Sequence, residues 1–598
     1  MCGIAGIFAN NARNYQSEIQ KMTDAMEHRG PDASDHEFYD NAALGHRRLS
    51  IIDLSENGKQ PMFSNTKREC IVLNGEIYGY QTIKNQYLEY PYRGSSDTEV
   101  ILAMYQRKQE NLIHDLPGMF AFAIWDEEKQ QLFCARDRFG EKPFFYAIGK
   151  NNEFIFASEI KSILASGLIQ PQVNNEALSH YLQYGYVNTY QSIYKNIHTL
   201  PPAHQLTWKD GNVNISRYYN LPSKDRSISL SDAKEEFIYL LKNAVKKQLI
   251  ADVEVGSFLS GGLDSSSIVA LVSEFLPQQT TISFGYDHED SELKYAKEIA
   301  EKYKTNHIEI HEKKQDLATS LLKVSPFLDE PFADKSYLPH YEICKSARKN
   351  LTVVLSGDVG DELFGGYNFY RTENQLRKHF SYKNIVTQFG LKLYKNLKQL
   401  SYVSQKNLEH ASILDFHQNS VRNFFNENER KSLGISSNYQ QSYSFTPRPD
   451  SLNDIMRVDL EKYVPGNMMV KSDRMAMANS LEVRTPFLDI DFAEFCIQLP
   501  EQLKLNNEQD KIILRESMNS YWTDTIRNRH KQGFGMSVND WFKEENLMNL
   551  SNDLLKNPNQ KVFNFIDFNS TQKFLNKDQK HWNLLQLALW AHNNQSFL

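Results

Sequence analysis

The stretch VEVGSFLSGGLDSSSIVALVSEF, residues 253–275, decides the fold of the larger part of this 598-residue chain. Val253–Leu259 has the apolar, β-branched character of a strand, and Ser265–Phe275 has helical spacing. Between them lie Ser260-Gly261-Gly262-Leu263-Asp264. Two glycines let the backbone approach phosphate oxygens. The hydroxyls of Ser260 and Ser265 and the N–H groups opening the helix can donate to them. The pattern GxxxxGK[ST] is absent, so no lysine is placed for a γ-phosphate. Such a cradle suits pyrophosphate leaving after cleavage between the α- and β-phosphates. Asp264, an acid beside polyphosphate, suits a Mg2+ ligand. A Gly-Gly turn alone equally joins a strand to a capped helix. Strand, turn, acid and helix in that order favour the phosphate reading.

Working outward, Thr281–Phe284, His307–Ile310 and Leu351–Leu355 read as strands, with a helix over Lys294–Tyr303. The alternation predicts a doubly wound parallel sheet of the α/β class. Leu351–Leu355 runs into Ser356-Gly357-Asp358-Val359-Gly360-Asp361-Glu362. A strand's C-terminal end in such a sheet is where ligands bind, and these acids could supply a second metal contact. Upstream, apolar spacing from Ser231 to Leu249 predicts a helix with Asp232 and Glu235 in its first turn. Beyond about residue 370 the chain reads as mainly helical. Lys471, Asp473, Arg474, Glu482 and Arg484 crowd one segment, either to neutralise phosphates or as a structural ion-pair cluster; spacing leaves both open. Gln375–Leu408 carries seven Lys or Arg and no acid, a solvated helical face or a surface that steers a polyanion.

The first 200 or so residues have a different texture. Short alternating runs (Leu44–Ile52, Glu69–Leu73, Phe120–Trp125, Gln131–Ala135, Phe154–Ala157) predict packed sheets, with helices over Ser17–Met26 and Thr98–Arg107. The Pro-containing stretch Leu221–Ser229 precedes the change, and the domain boundary is placed near 210–228.

Composition fits a multi-domain globular protein, with 40% hydrophobic and 24% charged residues. The net charge of −7 gives no sign of a nucleic-acid binder. No apolar run approaches the ~20 residues that span a bilayer, and the N-terminus lacks a secretory signal pattern. Five scattered cysteines (Cys2, Cys70, Cys134, Cys344, Cys496) form no CxxC, which excludes a disulfide framework and a cysteine-rich zinc site.

Cys2 is placed unusually. Once Met1 is removed, one residue carries both a thiol and an α-amine, and an amine titrating near ~8 can serve as the thiol's base. Cys2–Phe8 reads as a strand that begins at this nucleophile. Asn74-Gly75 offers oxyanion-hole donors. Arg48 could pair with a substrate α-carboxylate, and Glu76 and Asp97 could receive its α-ammonium.

Together these residues resemble the glutamine-hydrolysing asparagine synthetases, class II glutamine amidotransferases of the asparagine synthetase B type. The likeness rests on MCGIAG (1–6), HRGPD (28–32), RLSIIDL (48–54), NGEIY (74–78), SDTEV (96–100), ARDRFGEKPFFY (135–146) and FASEIKS (156–162). It continues in SGGLDSS (260–266), DEPFAD (329–334), LSGDVGDELFGGY (355–367) and KSDRMAMANSLEVRTPFLD (471–489). The resemblance implies an α+β Ntn-type sandwich over 2–210, the glutaminase domain. It implies a PP-loop ATP pyrophosphatase (adenine nucleotide α-hydrolase-like) domain over 228–598, the synthetase domain, with a helical C-terminal part. Cys2 would attack glutamine, with Asn74 and Gly75 as oxyanion hole and Arg48, Glu76 and Asp97 holding the substrate. Ammonia would pass through an internal channel to a β-aspartyl-AMP made from aspartate and Mg-ATP, giving asparagine, AMP and pyrophosphate. Leu259, Ser260, Gly261, Gly262, Asp264, Ser265, Phe284, Ser356 and Gly357 would contact ATP. Asp264 and Asp361 would bind Mg2+, and Lys471 would stabilise phosphates.

Asp358 stands where family members that make asparagine often carry a glutamate, so it acts at the adenylate step with one methylene less. Gly79 replaces the asparagine of NGEIYN. Amidation of another carboxylate, such as a surface-polysaccharide uronic acid or a peptide precursor, is the alternative activity. A non-catalytic glutamine-binding scaffold would lack part of the chemical set, whereas Cys2, Asp264, Asp361 and Lys471 are all present. The expected partners are the small molecules glutamine, aspartate and ATP, with no nucleic acid or membrane, in a cytoplasmic protein with a homodimer as candidate assembly.

Overall fold

The structure is a computed structural model and describes residues 1–285, 292–311, 316–377, 412–436, 443–448, 450–529 and 538–597. In the N-terminal region two six-stranded sheets face each other. One runs in the order Ile197–Thr199, Phe145–Ile148, Phe154–Ala157, Gly3–Phe8, Ala42–Arg48 and Ala33–Phe38. The other runs Asn212–Arg217, His204–Lys209, Gln131–Arg136, Met119–Asp126, Glu69–Glu76 and Met62–Phe63. Their two-residue periodicity makes the layers. Ile4, Phe8, Leu44, Val72, Ala123 and Trp125 fill the space between the sheets. Ala5 and Ile7 point the other way, among residues of the helix Gln16–Asp24. Ile71, Leu73, Phe122 and Ile124 pack with the helix Asp97–Lys108. The result is helix, sheet, sheet, helix, the sandwich expected for an Ntn-type unit.

Most strands and helices read from the sequence lie within two or three residues of their observed bounds. The run Leu44–Ile52 is an exception, because the strand stops at Arg48. The Arg48 guanidinium gathers the carbonyl oxygens of Ile52, Asp53 and Ser55. Asp53 takes a positive φ of 56°, so the chain turns into a loop there.

The second region is built on five parallel strands in the order Asn306–His311, Thr280–Gly285, Val255–Phe258, Val353–Leu355 and Glu482–Arg484. The chain enters at the centre, winds outward, then crosses to the other side. The switch falls between Val255–Phe258 and Val353–Leu355, so the loops after these two strands leave side by side. The edge strand Glu482–Arg484 was not legible as a strand, being three residues long with two of them charged. It is buried because Arg484 Nε meets Glu482 Oε1 at 2.7 Å and its Nη1 donates to the carbonyls of Gln248 and Ile250.

Buried ion pairs lock the two regions. Arg29 donates to both oxygens of Asp473 at 2.9 Å and to Glu159 at 3.0 Å. Arg474 pairs with Glu159 at 2.7 Å and Asp329 at 3.0 Å. The charged segment around 471–484 is thus mostly structural. Residues 378–408 of the basic tract lie outside the described residues.

Candidate active sites

Cys2 precedes the central strand Gly3–Phe8, and Asn74-Gly75-Glu76 ends a strand of the facing sheet. The two strand ends meet: the Cys2 backbone N–H donates to Asn74 Oδ1 at 3.1 Å, which leaves the Asn74 Nδ2 group buried without a protein partner among the described residues. An amide donor held beside a thiol and bonded to nothing is the arrangement an oxyanion hole requires. Gly75 must be glycine, since a Cβ there would lie 2.2 Å from the Met119 carbonyl oxygen. Burial pushes the Cys2 thiol up, while the terminal amine and Arg48 pull it down. It therefore rests as the neutral thiol and needs a base.

Met1 is itself buried, with its α-amine 3.0 Å from Glu482 Oε2. Glu76 and Asp97 are buried together, and both carboxyls are raised, first by burial; Asp97 further raises Glu76. Asp97 Oδ2 accepts from the Ile77 N–H at 2.9 Å, while Glu76 Oε2 has no hydrogen-bond partner among the described residues. Two acids so placed favour a cationic ligand group.

The second site is a cavity of about 430 Å³ at the sheet's switch point. Leu259 and Phe284 give it an apolar wall, and Ser260, Gly262, Asp264 and Ser265 line the end where the helix Leu263–Phe275 begins. Ser356, Gly357, Asp358 and Asp361 come from the adjacent loop. Gly357 is required by close approach, since a Cβ would lie 2.8 Å from Ser265 N. Val359 takes φ 70°, a conformation that disfavours β-branched residues, and its side chain is buried in the core. Gly261 does not line the cavity. It turns the chain at φ 68° against the helix Leu293–Tyr303, where a Cβ would lie 2.5 Å from Tyr295 Cβ.

Lys471 Nζ donates to Ser336 Oγ at 3.0 Å and lies 3.8 Å from Asp334. Burial opposes its charge, but Asp334 and Asp358 raise it, so it stays an ammonium. Asp264 and Asp361 converge on the Lys511 ammonium, which lies 2.7 Å from Asp361 Oδ1. Two hard carboxylate oxygens meeting at one cation fit a shared divalent ion.

The chain matches the asparagine synthase family over residues 236–592 and the glutamine amidotransferase domain over residues 1–219. It belongs to the asparagine synthase family. It is 33% identical to asparagine synthetase [glutamine-hydrolyzing] 1 of Bacillus subtilis, over 99% of this chain and 97% of that protein. Identity to asparagine synthetase [glutamine-hydrolyzing] 3 of the same organism is 30%, covering 91% and 89%. The amidase chyE of Penicillium rubens is 28% identical, covering 96% and 95%.

Cys2, Asn74, Gly75, Glu76, Asp97 and Arg48 gather around one centre. Leu259, Ser260, Gly262, Asp264, Ser265, Phe284, Ser356, Gly357, Asp358, Asp361 and Lys471 line the other. Arg48 is already engaged by loop carbonyls, as described above. Sequence reasoning missed Lys511. It is a single lysine in a mixed-charge loop, brought to Asp264 across 247 positions, and no local pattern marks it.

Proposed function

We propose that this protein makes asparagine from aspartate, glutamine and ATP, with residues 2–210 as the glutaminase unit and 228–598 as the synthetase unit. The observation that carries the reading is the pairing, in one chain, of a thiol beside an amide donor that has no partner among the described residues with a nucleotide-sized cavity at a parallel-sheet switch point. After loss of Met1, the Cys2 amine takes the thiol proton, and the sulfur attacks the amide carbon of glutamine. Asn74 Nδ2 and the Gly75 N–H receive the developing oxyanion. The Cys2 ammonium gives its proton to the leaving nitrogen, ammonia departs, and water hydrolyses the thioester to glutamate and restores the thiol. Glu76 and Asp97 take the α-ammonium of glutamine, and Arg48 sets its carboxylate end.

In the synthetase unit the β-carboxylate of aspartate attacks the α-phosphate of ATP and displaces pyrophosphate. Ammonia then attacks the acyl carbon and AMP leaves, with Asp358 placed to take the proton that the nitrogen loses. Leu259 and Phe284 flank the base, while Ser260, Gly261, Gly262, Ser265, Ser356 and Gly357 shape the phosphate end. Lys471 offsets negative charge on the phosphates. Asp264 and Asp361 would hold Mg2+, which when bound neutralises the leaving pyrophosphate. The proposal routes ammonia internally between the two units, at whose junction Phe145, Met469 and Arg474 line a small cavity. None of the described helices is long and apolar enough to cross a membrane. A cytoplasmic location and a homodimer complete the proposal.

The acids Asp334, Asp358 and Glu362 on the cavity wall favour an acceptor that bears an ammonium, as aspartate does. A second reading, amidation of another carboxylate (a uronic acid or a peptide precursor), is favoured by the shorter acid at Asp358 and by the resemblance to a protein named as an amidase. Pyrophosphate release across a panel of carboxylic acids decides between them. Aspartate should exceed every other acid, and background release with aspartate alongside turnover of another acid would overturn the asparagine assignment.

A further inference from the structure

The wall of the larger cavity carries a histidine to which no step above gives a role. His340 sits in the first turns of the helix Tyr337–Ala347, four residues after Ser336. Residues four apart share a helix face. Ser336 Oγ accepts from Lys471, so His340 stands on the side of the helix that meets Lys471. Its ring is nine-tenths buried, with 9% of the residue exposed, and packs edge-on against Phe258 with ring centroids 6.0 Å apart. That contact restricts the ring plane.

A histidine serving only the core normally has its ring nitrogens satisfied. Here Nε2 is buried and has no hydrogen-bond partner among the described residues, and His340 lines the cavity. Asp358 Oδ2, on the same cavity, is likewise buried without a hydrogen-bond partner among the described residues. Such groups carry a desolvation cost unless a ligand completes them. Burial lowers His340 to about 4, with Asp358 and Asp334 opposing and Lys471 assisting. The imidazole is therefore neutral at working pH and offers a directed hydrogen bond rather than a charge.

We propose that His340 is a specificity-determining residue for the acceptor, its Nε2 hydrogen-bonding a polar group of a bound α-amino acid that lies between Asp358 and Lys471. This rests on the proposed synthetase reaction and names a contact within that site. A neutral partner beside an acid and an ammonium suits a small zwitterion, which needs donors and acceptors within a few ångströms of each other. A chain of repeated carboxylates would leave the acids of this wall facing like charge.

The test is steady-state pyrophosphate release by the full-length wild type, His340→Ala and His340→Gln, varying aspartate and ATP separately with ammonium chloride as nitrogen source. The expected result is a KM for aspartate raised at least tenfold in His340→Ala and largely restored in His340→Gln, whose side-chain amide can replace the hydrogen bond. The KM for ATP and the glutamine hydrolysis catalysed at Cys2 should stay within twofold. An unchanged KM for aspartate in His340→Ala, or an equal rise for ATP, would overturn the proposal, and so would failure of His340→Gln to recover. If the wild type itself shows no turnover of aspartate, the asparagine reading fails. Aspartate turnover by the wild type with an unaffected alanine variant sinks the His340 contact alone.

Discussion

Asn74 is bonded through its carbonyl oxygen and has no partner at its amide nitrogen among the described residues, and the proposed glutaminase chemistry depends on that asymmetry. Asn74→Ala should lower kcat for glutamine hydrolysis about 10²–10³-fold, the usual loss for one oxyanion donor. A glutamate-release assay reads it directly. At the other centre Lys471 is a buried ammonium between acids, held for charge rather than shape. Lys471→Met keeps the length and removes the charge, and pyrophosphate release should fall about 100-fold while glutamine hydrolysis persists. Near-normal release would remove Lys471 from the phosphate chemistry. Ser260-Gly261-Gly262 in one turn and Ser356-Gly357-Asp358 in another were legible from local spacing, whereas Cys2, Asn74 and Lys471, whose partners are distant in the chain, were legible through their chemistry and the family's motifs. Lys511 and His340 acquire meaning only through distant contacts, so their own surroundings carried no signal.

At the scale of elements, periodicity served well where a strand or helix buries one face or both along several residues. It failed at Glu482–Arg484, where burial is permitted by paired charge rather than by apolar side chains. Charge within an element also sets a pH dependence. His417, in the turn His417–Val421, donates from Nδ1 to Glu373 at 2.8 Å and from Nε2 to Asp459 at 3.2 Å. Burial opposes its protonation, but the two carboxylates win and lift it to about 10. A histidine raised above its unfolded value of ~6.5 contributes stability that is full below that pH and is lost as pH climbs toward about 10. Denaturant unfolding at pH 6, 8 and 10 should therefore show a stability difference between wild type and His417→Gln that shrinks with rising pH. A constant difference would mean that the pair is not charged in the folded protein.

Across the whole molecule, buried ion pairs join the two catalytic regions. Arg29 reaches Asp473 through two hydrogen bonds, with both side chains buried. Removing Asp473 leaves the buried Arg29 only the Glu159 carboxylate, which Arg474 already shares, so Asp473→Ala should cost about 3 kcal/mol, seen as an earlier unfolding midpoint. The proposed division into two chemical units rests on a change of texture in the sequence, with the boundary placed near 210–228. How the charged segment near 471–484 is spent was not, because ion pairing between regions leaves no spacing rule. In the proposed mechanism Cys2 serves only to release ammonia for a second site that can work without it. The most direct measurement is asparagine formation by Cys2→Ala with glutamine and, separately, with ammonium chloride. Glutamine-dependent activity should be lost while the ammonium-supported activity stays within a few-fold of wild type; loss of both, or persistence with glutamine, would overturn the two-site mechanism.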